Sequence, residues 1–221
     1  AEAGANIAGL DRTEDCNETC ALVEATGRRF LNIKADLMRA TPQDLAAHVQ
    51  QVVGELGRLD ILVNNAGIIR RAPALDYTEA DWNDVIDLNL RVVFFLTQAA
   101  ARVMVQQGGG KVISIASMLS YQGGILVPSY TAAKSAVAGL TRALANEWAA
   151  QGINVNAIAP GYMATDNTAP LRADATRSQA ILDRIPAGRW GNPDDLKGVV
   201  VFLASEASRY MHGAIVPVDG G

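Results

Sequence analysis

At 221 residues, 49% hydrophobic and 19% charged, the chain is long enough for one well-covered α/β domain. A net charge of −4 argues against nucleic acid or an anionic membrane as a partner; no apolar run reaches spanning length, and no positively charged start precedes an apolar segment. Cys16 and Cys20 are the only cysteines and His48 and His212 the only histidines, too scattered for zinc or another metal. A soluble, cytoplasmic protein is expected, with its chemistry resting on groups other than thiols and imidazoles.

Taken in order, residues 1–5 read as the tail of a helix turning at Gly4, and residues 6–10 as a short buried strand. Asp11 ends that strand. A carboxylate there accepts hydrogen bonds from a ribose 2′-hydroxyl and repels a 2′-phosphate, which favours NAD, although Arg12 beside it suits NADP. A helix is expected from about Glu14, with Thr13 as N-cap and Gly27 as its stop. Residues 29–34 alternate as a strand, followed by Asp36 and Leu37. Thr41-Pro42 then opens a helix that runs to Gly57.

Residues 59–63 form an apolar strand leading into Asn64-Asn65-Ala66-Gly67. Small residues there let a ligand approach the backbone, and an Asn side chain can pin neighbouring elements. Arg70 and Arg71 follow, two guanidinium groups suited to a bidentate grip on a substrate carboxylate and not distinguished from each other. Thr78-Glu79-Ala80-Asp81 has the pattern of a capping box for a long helix reaching about Gln106. Asn89 stands inside that helix against propensity, and residues 90–96 are apolar nearly all round, so the helix is buried on more than one side.

The remaining elements are arranged around residues 114–134. An apolar strand gives way to a Gly/Pro loop holding Ser117, and an Ala-rich helix then carries Tyr130 and Lys134 on one face, four residues apart. A cation beside a phenol favours the phenolate, so Tyr130 is expected to titrate below its ordinary value of about 10 and serve as a general acid or base. Ser117 would orient the reacting oxygen. Beyond a strand at 153–158, residues 166–185 are polar and only weakly periodic and read as a mobile lid of short helices, extending to about 190. Arg172 within it is a second candidate for a substrate acid group, and Gln122 in the loop after Ser117 a further substrate contact. Asn192-Pro193 starts a helix through Ala204, and residues 215–218 form a last strand.

Ser117, the Tyr130-x-x-x-Lys134 pair, Asn64-Asn65-Ala66-Gly67 and Pro160-Gly161-Tyr162-Met163-Ala164-Thr165 together resemble the short-chain dehydrogenase/reductase family over nearly the whole chain. The resemblance implies a single-domain, Rossmann-like, doubly wound parallel sheet and a hydride-transfer enzyme using a nicotinamide cofactor. It implies catalytic roles for Asn89, Ser117, Tyr130 and Lys134, with Asn89 holding a water that links the lysine to solvent. Cofactor contacts are implied for Asp11, Asp36, Leu37, Asn65, Ala66, Gly67, Tyr130, Lys134, Pro160, Gly161, Met163 and Thr165. A homotetramer meeting through the helix at 90–96 and the one after Tyr130 is implied as well. The family's Thr-Gly-x-x-x-Gly-x-Gly phosphate loop and its strand do not occur in the 221 residues, so the chain is expected to lack an N-terminal segment. Several segments, among them Gly-Ile-Ile-Arg-Arg and Arg-Ile-Pro-Ala-Gly-Arg-Trp-Gly, look like a subgroup acting on sugar acids. Rival readings are a relative with another substrate and a catalytically inactive nucleotide sensor.

Overall fold

The computed structural model describes residues 1–13 and 15–221. Its strands are all parallel. β1 (Ile7–Asp11) pairs with β2 (Phe30–Lys34), while β3 (Ile61–Asn64), β4 (Gly110–Ile115), β5 (Ile153–Pro160) and β6 (Ile215–Val218) follow one another in a four-stranded sheet. Parallel strands require crossovers, supplied here by helices on both faces, the doubly wound arrangement expected. β5 is buried at every residue but its last, and its two asparagines, Asn154 and Asn156, are buried with their side-chain amides hydrogen-bonded to backbone groups around residues 208–214.

The sheet is in two parts. Among the described residues no ladder joins β1 to β3, and packing across α2 (Pro42–Leu56) and α4 (Val92–Gln107) holds the parts together. Leu45 and Val49 from α2 meet Val92, Leu96, Ala99 and Val103 from α4, with Leu10 of β1 and Leu62 of β3 packed against the same cluster. α2 owes its sharp boundaries to a Thr41–Asp44 capping box, Pro42 in the first turn and Gly57 at φ +87°.

Several boundaries differ from expectation. Residues 1–5 form a turn closed by Gly4 N–H to the Ala1 carbonyl at 2.7 Å, not a helix end. The expected start at Glu14 lies outside the described residues; α1 is observed over Asn17–Glu24 and Thr13 does not cap it. Thr13 gives both its amide and its hydroxyl to the Asp11 carboxylate instead, each at 2.8 Å. The long helix is interrupted: α3 (Glu79–Ile86) passes through a π-helical turn at Asp87–Arg91 into α4. A 3₁₀ turn at Pro193–Leu196 precedes α8 (Lys197–Ala204). Residues Glu79–Gln107 also correct the expectation about spanning length, since they are long and apolar enough to span a membrane. Their most apolar window is 61% buried within the fold, so the apolar surface belongs to the core.

Leu45 is fully buried where the two sheet parts meet. Leu45→Ala is expected to lower unfolding free energy by about 3 kcal/mol, measured by urea denaturation, whereas Ala at the exposed Leu22 should leave it nearly unchanged.

Candidate active site

The C-terminal ends of β1 to β5 lie along one edge of the fold, and in parallel α/β sheets ligands bind beyond that edge. Asp11 stands there at the end of β1, Asp36 and Leu37 just after β2, Asn65-Ala66-Gly67 after β3, Ser117 after β4, and Pro160 to Thr165 at and after the end of β5. The sequence-predicted cofactor residues therefore share one edge although they span 150 positions of the chain.

Two neighbouring asparagines have separate jobs. Asn64 alternates with Val63, so it turns inward, where its Nδ2 donates to Thr97 Oγ1 at 2.8 Å and Ser114 Oγ at 3.1 Å. It ties β3 to α4 and β4, whereas Asn65 is exposed. The parity of the strand would have assigned the pinning role to Asn64. Asn89, fully buried in the π-helical turn, holds Ile68 at both ends: its Oδ1 accepts from Ile68 N–H at 2.9 Å and its Nδ2 donates to the Ile68 carbonyl at 2.8 Å. A Cβ on Gly67 would stand 3.2 Å from Asn89 Oδ1, so the small residue lets the loop close on the asparagine. The π turn explains an Asn inside a helix. A π-bulge is a recurrent feature of functional sites.

α5 (Pro128–Trp148) starts with proline in its first turn and sets Tyr130 and Lys134 on the face toward β4. Lys134 is buried, and its Nζ donates to the Ile115 carbonyl at the end of β4. Burial lowers its pKa to about 8. The same Nζ lies 5.5 Å from the centre of the Tyr130 ring, a cation–π placement. Ser117, whose Oγ accepts from Leu119 N–H at 3.1 Å, lies near enough to the Tyr130 phenol to favour its ionised form.

The phenol's titration corrects the sequence expectation. Burial raises Tyr130 above its ordinary pKa, outweighing the Ser117 hydroxyl and the charge of Arg71, both of which favour the phenolate. Desolvation disfavours a phenolate more than these two groups offset. In the free protein Tyr130 is thus a protonated phenol surrounded by groups that can stabilise its anion.

The two arginines are also resolved. Arg70 is held by α3, with Nη2 2.9 Å from Asp84 and Nε 3.6 Å from Asp81. Arg71 is exposed, acts on Tyr130 and donates to the Asn167 carbonyl at 3.0 Å. Arg172, on α6 (Ala169–Ala173), donates to the Thr165 carbonyl at 3.1 Å, and Gln122 accepts from Arg184 at 3.4 Å. These two contacts fasten the segment that includes α6 and α7 (Ala175–Leu182) to the loops below rather than singling out a substrate position. No group of three or more potential metal ligands occurs among the described residues.

Residues 1–221 match a family model described as enoyl-(acyl carrier protein) reductase. The chain belongs to the short-chain dehydrogenase/reductase family. It is 59% identical to the 2-dehydro-3-deoxy-D-gluconate 5-dehydrogenase of Dickeya dadantii over all of this chain and 87% of that protein. The Bacillus subtilis enzyme of the same name is 54% identical over all of this chain and 86% of its own length. Among solved structures, a gluconate 5-dehydrogenase from Burkholderia cenocepacia in complex with NADP and tartrate superposes with a TM-score of 0.95 at 39% identity, over all of this chain and 86% of that one.

Lys134's depressed pKa predicts a pH signature. The unfolded lysine holds its proton up to about 10.5, the folded one only to about 8. Stability should therefore rise between those values, because the unfolded state binds more protons there. Urea unfolding of the protein relative to Lys134→Met should reveal this rise; a flat difference would place the amine in water.

Proposed function

We propose that this chain is an NAD-using sugar-acid dehydrogenase carrying out the reaction named for its 54–59% identical relatives, that of 2-dehydro-3-deoxy-D-gluconate 5-dehydrogenase. The observation that carries the chemistry is the Tyr130 phenol near Ser117, with the Lys134 ammonium over its ring.

The residues present fit a nicotinamide cofactor. Asp11 offers an ionised carboxylate at the strand end, kept below the usual carboxylate range by the Thr13 amide and hydroxyl. Such an acceptor suits a ribose diol and opposes a 2′-phosphate, which supports NAD over NADP. The Burkholderia relative was solved with NADP, so Asp11 is the feature that sets this chain's preference in our reading. Asp36 and Leu37 would meet the adenine, Asn65 to Gly67 the adjoining ribose, and Pro160, Gly161, Met163 and Thr165 the carboxamide. Gly161 passes so close to Asp219 that a Cβ would fall 2.6 Å from its Cα. Bound cofactor would supply the hydride acceptor for oxidation and the hydride donor for reduction.

Ser117 then holds the substrate oxygen against Tyr130. In ketone reduction the protonated phenol gives its proton to that oxygen. In oxidation the phenol first loses its proton, aided by Ser117 and the Arg71 charge, and takes the carbinol proton as the hydride leaves. Arg71, the arginine not committed to a carboxylate, grips the sugar-acid carboxylate at the mouth of the site. Asn89, by gripping the Ile68 backbone, holds the loop after β3 in place beside the site, where a water could link Lys134 to solvent, and residues 166–190 close over the substrate. The surroundings of α4 and α5 suit a homotetramer, since Gly139 on α5 faces open space and Val105 on α4 is exposed. A cytoplasmic location accords with a nicotinamide-dependent step in sugar-acid breakdown.

Tyr130→Phe should lose turnover by roughly 10²–10⁴-fold while binding NAD normally, measured by dehydrogenation of a sugar-acid panel and by cofactor fluorescence. Near-wild-type turnover would exclude Tyr130 as the acid–base group. Asp11→Ala should raise the NADP-to-NAD ratio of kcat/KM on the order of tenfold; an unchanged ratio removes Asp11 from cofactor selection.

A further inference from the structure

Tyr77, between a 3₁₀ turn at Ala74–Asp76 and α3, has no place in the chemistry described above. Its hydroxyl is half-buried and makes two hydrogen bonds. It donates to the Arg70 carbonyl at 3.2 Å and lies 2.6 Å from Ser129 Oγ. A phenol has one proton. Either hydroxyl can donate in the 2.6 Å bond; when the Tyr77 proton is directed at the Arg70 carbonyl, the fully buried Ser129 hydroxyl is the donor.

The chain Ser129 O–H to Tyr77 O–H to Arg70 carbonyl thus joins the residue before Tyr130 to the residue before Arg71. Other contacts fasten the same two segments. Ala72 N–H donates to the Leu126 carbonyl at 3.0 Å, with Leu126 held at φ +66°, a conformation a branched side chain adopts only under constraint. Asp81 and Asp84 grip the Arg70 side chain, leaving Arg71 as the unneutralised charge of the pair.

We infer that Tyr77 is a positioning residue, its hydroxyl fixing the Arg71 guanidinium at a set distance from the Tyr130 phenol so that substrate grip and proton transfer are aligned. This rests on the reading of Arg71 as the carboxylate clamp. The groups bearing on Tyr130 are Ser117 after β4, Lys134 on α5 and Arg71 after β3, while the Arg70 charge is met by α3 carboxylates. Of these, only Arg71 sits on the segment whose backbone Tyr77 holds. A small displacement of a positioned group is enough to impair a reaction needing near-attack geometry.

The test compares the full-length enzyme with Tyr77→Phe, Ser129→Ala and Arg71→Leu, in a sugar-acid oxidation assay across pH, with melting temperature followed in parallel. Tyr77→Phe should lose on the order of tenfold in kcat/KM, mainly through KM. The rising limb of its pH profile should move to higher pH, because the phenolate loses Arg71's support. Ser129→Ala, which keeps the Tyr77 to Arg70 bond, should move both quantities in the same direction. In an Arg71→Leu background the Tyr77→Phe change should have no further effect on the profile. An unmoved profile in Tyr77→Phe, or the same displacement persisting without Arg71, overturns the inference while leaving the dehydrogenase reading intact. Wild-type KM and profile in Arg71→Leu overturn the clamp and this inference together, and a wild-type enzyme inert on every sugar acid overturns the parent function.

Discussion

One contact organises the site: the Lys134 ammonium, buried in α5, donating to the Ile115 carbonyl where β4 ends. A buried charge without an acceptor is strongly unfavourable, and the last carbonyl of a strand is an acceptor whose position the sheet ladder fixes. The bond holds the start of α5 against the end of β4, and with it the Tyr130 ring against Ser117. Helix and strand are rigid elements on either side. Tyr130 and Lys134 keep their geometry on the helix, and Ser117 stands just two residues past the end of β4.

Tyr130 sits at a balance. An ammonium with a pKa of about 8 is still mostly charged at neutral pH, yet its charge is directed at the ring face and the Ile115 carbonyl rather than the phenol oxygen. Burial therefore wins in the free protein and keeps the phenol protonated. That state is the one ketone reduction starts from. Oxidation requires the anion and is favoured as pH rises, so a single buried phenol serves both directions.

Much of this was legible in the sequence. Short apolar runs, an alternating stretch at 29–34 and helix-period patterns with cap residues located the strands and the main helices, and four-residue spacing put Tyr130 and Lys134 on one face. Other features needed three dimensions. The π turn around Asn89 has no pattern of its own, because it arises from a buried side chain bonding Ile68 far away in sequence. Nothing local separates Arg70 from Arg71; the choice is made by Asp81 and Asp84 on α3. Thr13 looked like an N-cap because its side chain can accept from a helix, but Asp11 competes for its donors. The sign of the Tyr130 displacement depends on how deeply the ring is buried, which spacing does not specify.

The most direct measurement is the ionisation of Tyr130 itself, followed by tyrosinate absorbance in the full-length protein with the Tyr130→Phe spectrum subtracted. A phenol enclosed by α5, β4 and the Arg71 loop is expected to ionise above the ordinary tyrosine range in the cofactor-free enzyme, and higher still once the Arg71 charge is removed. Ionisation at or below the ordinary value, insensitive to Arg71, would mean that the ring stands in water and that the buried acid–base cluster does not exist.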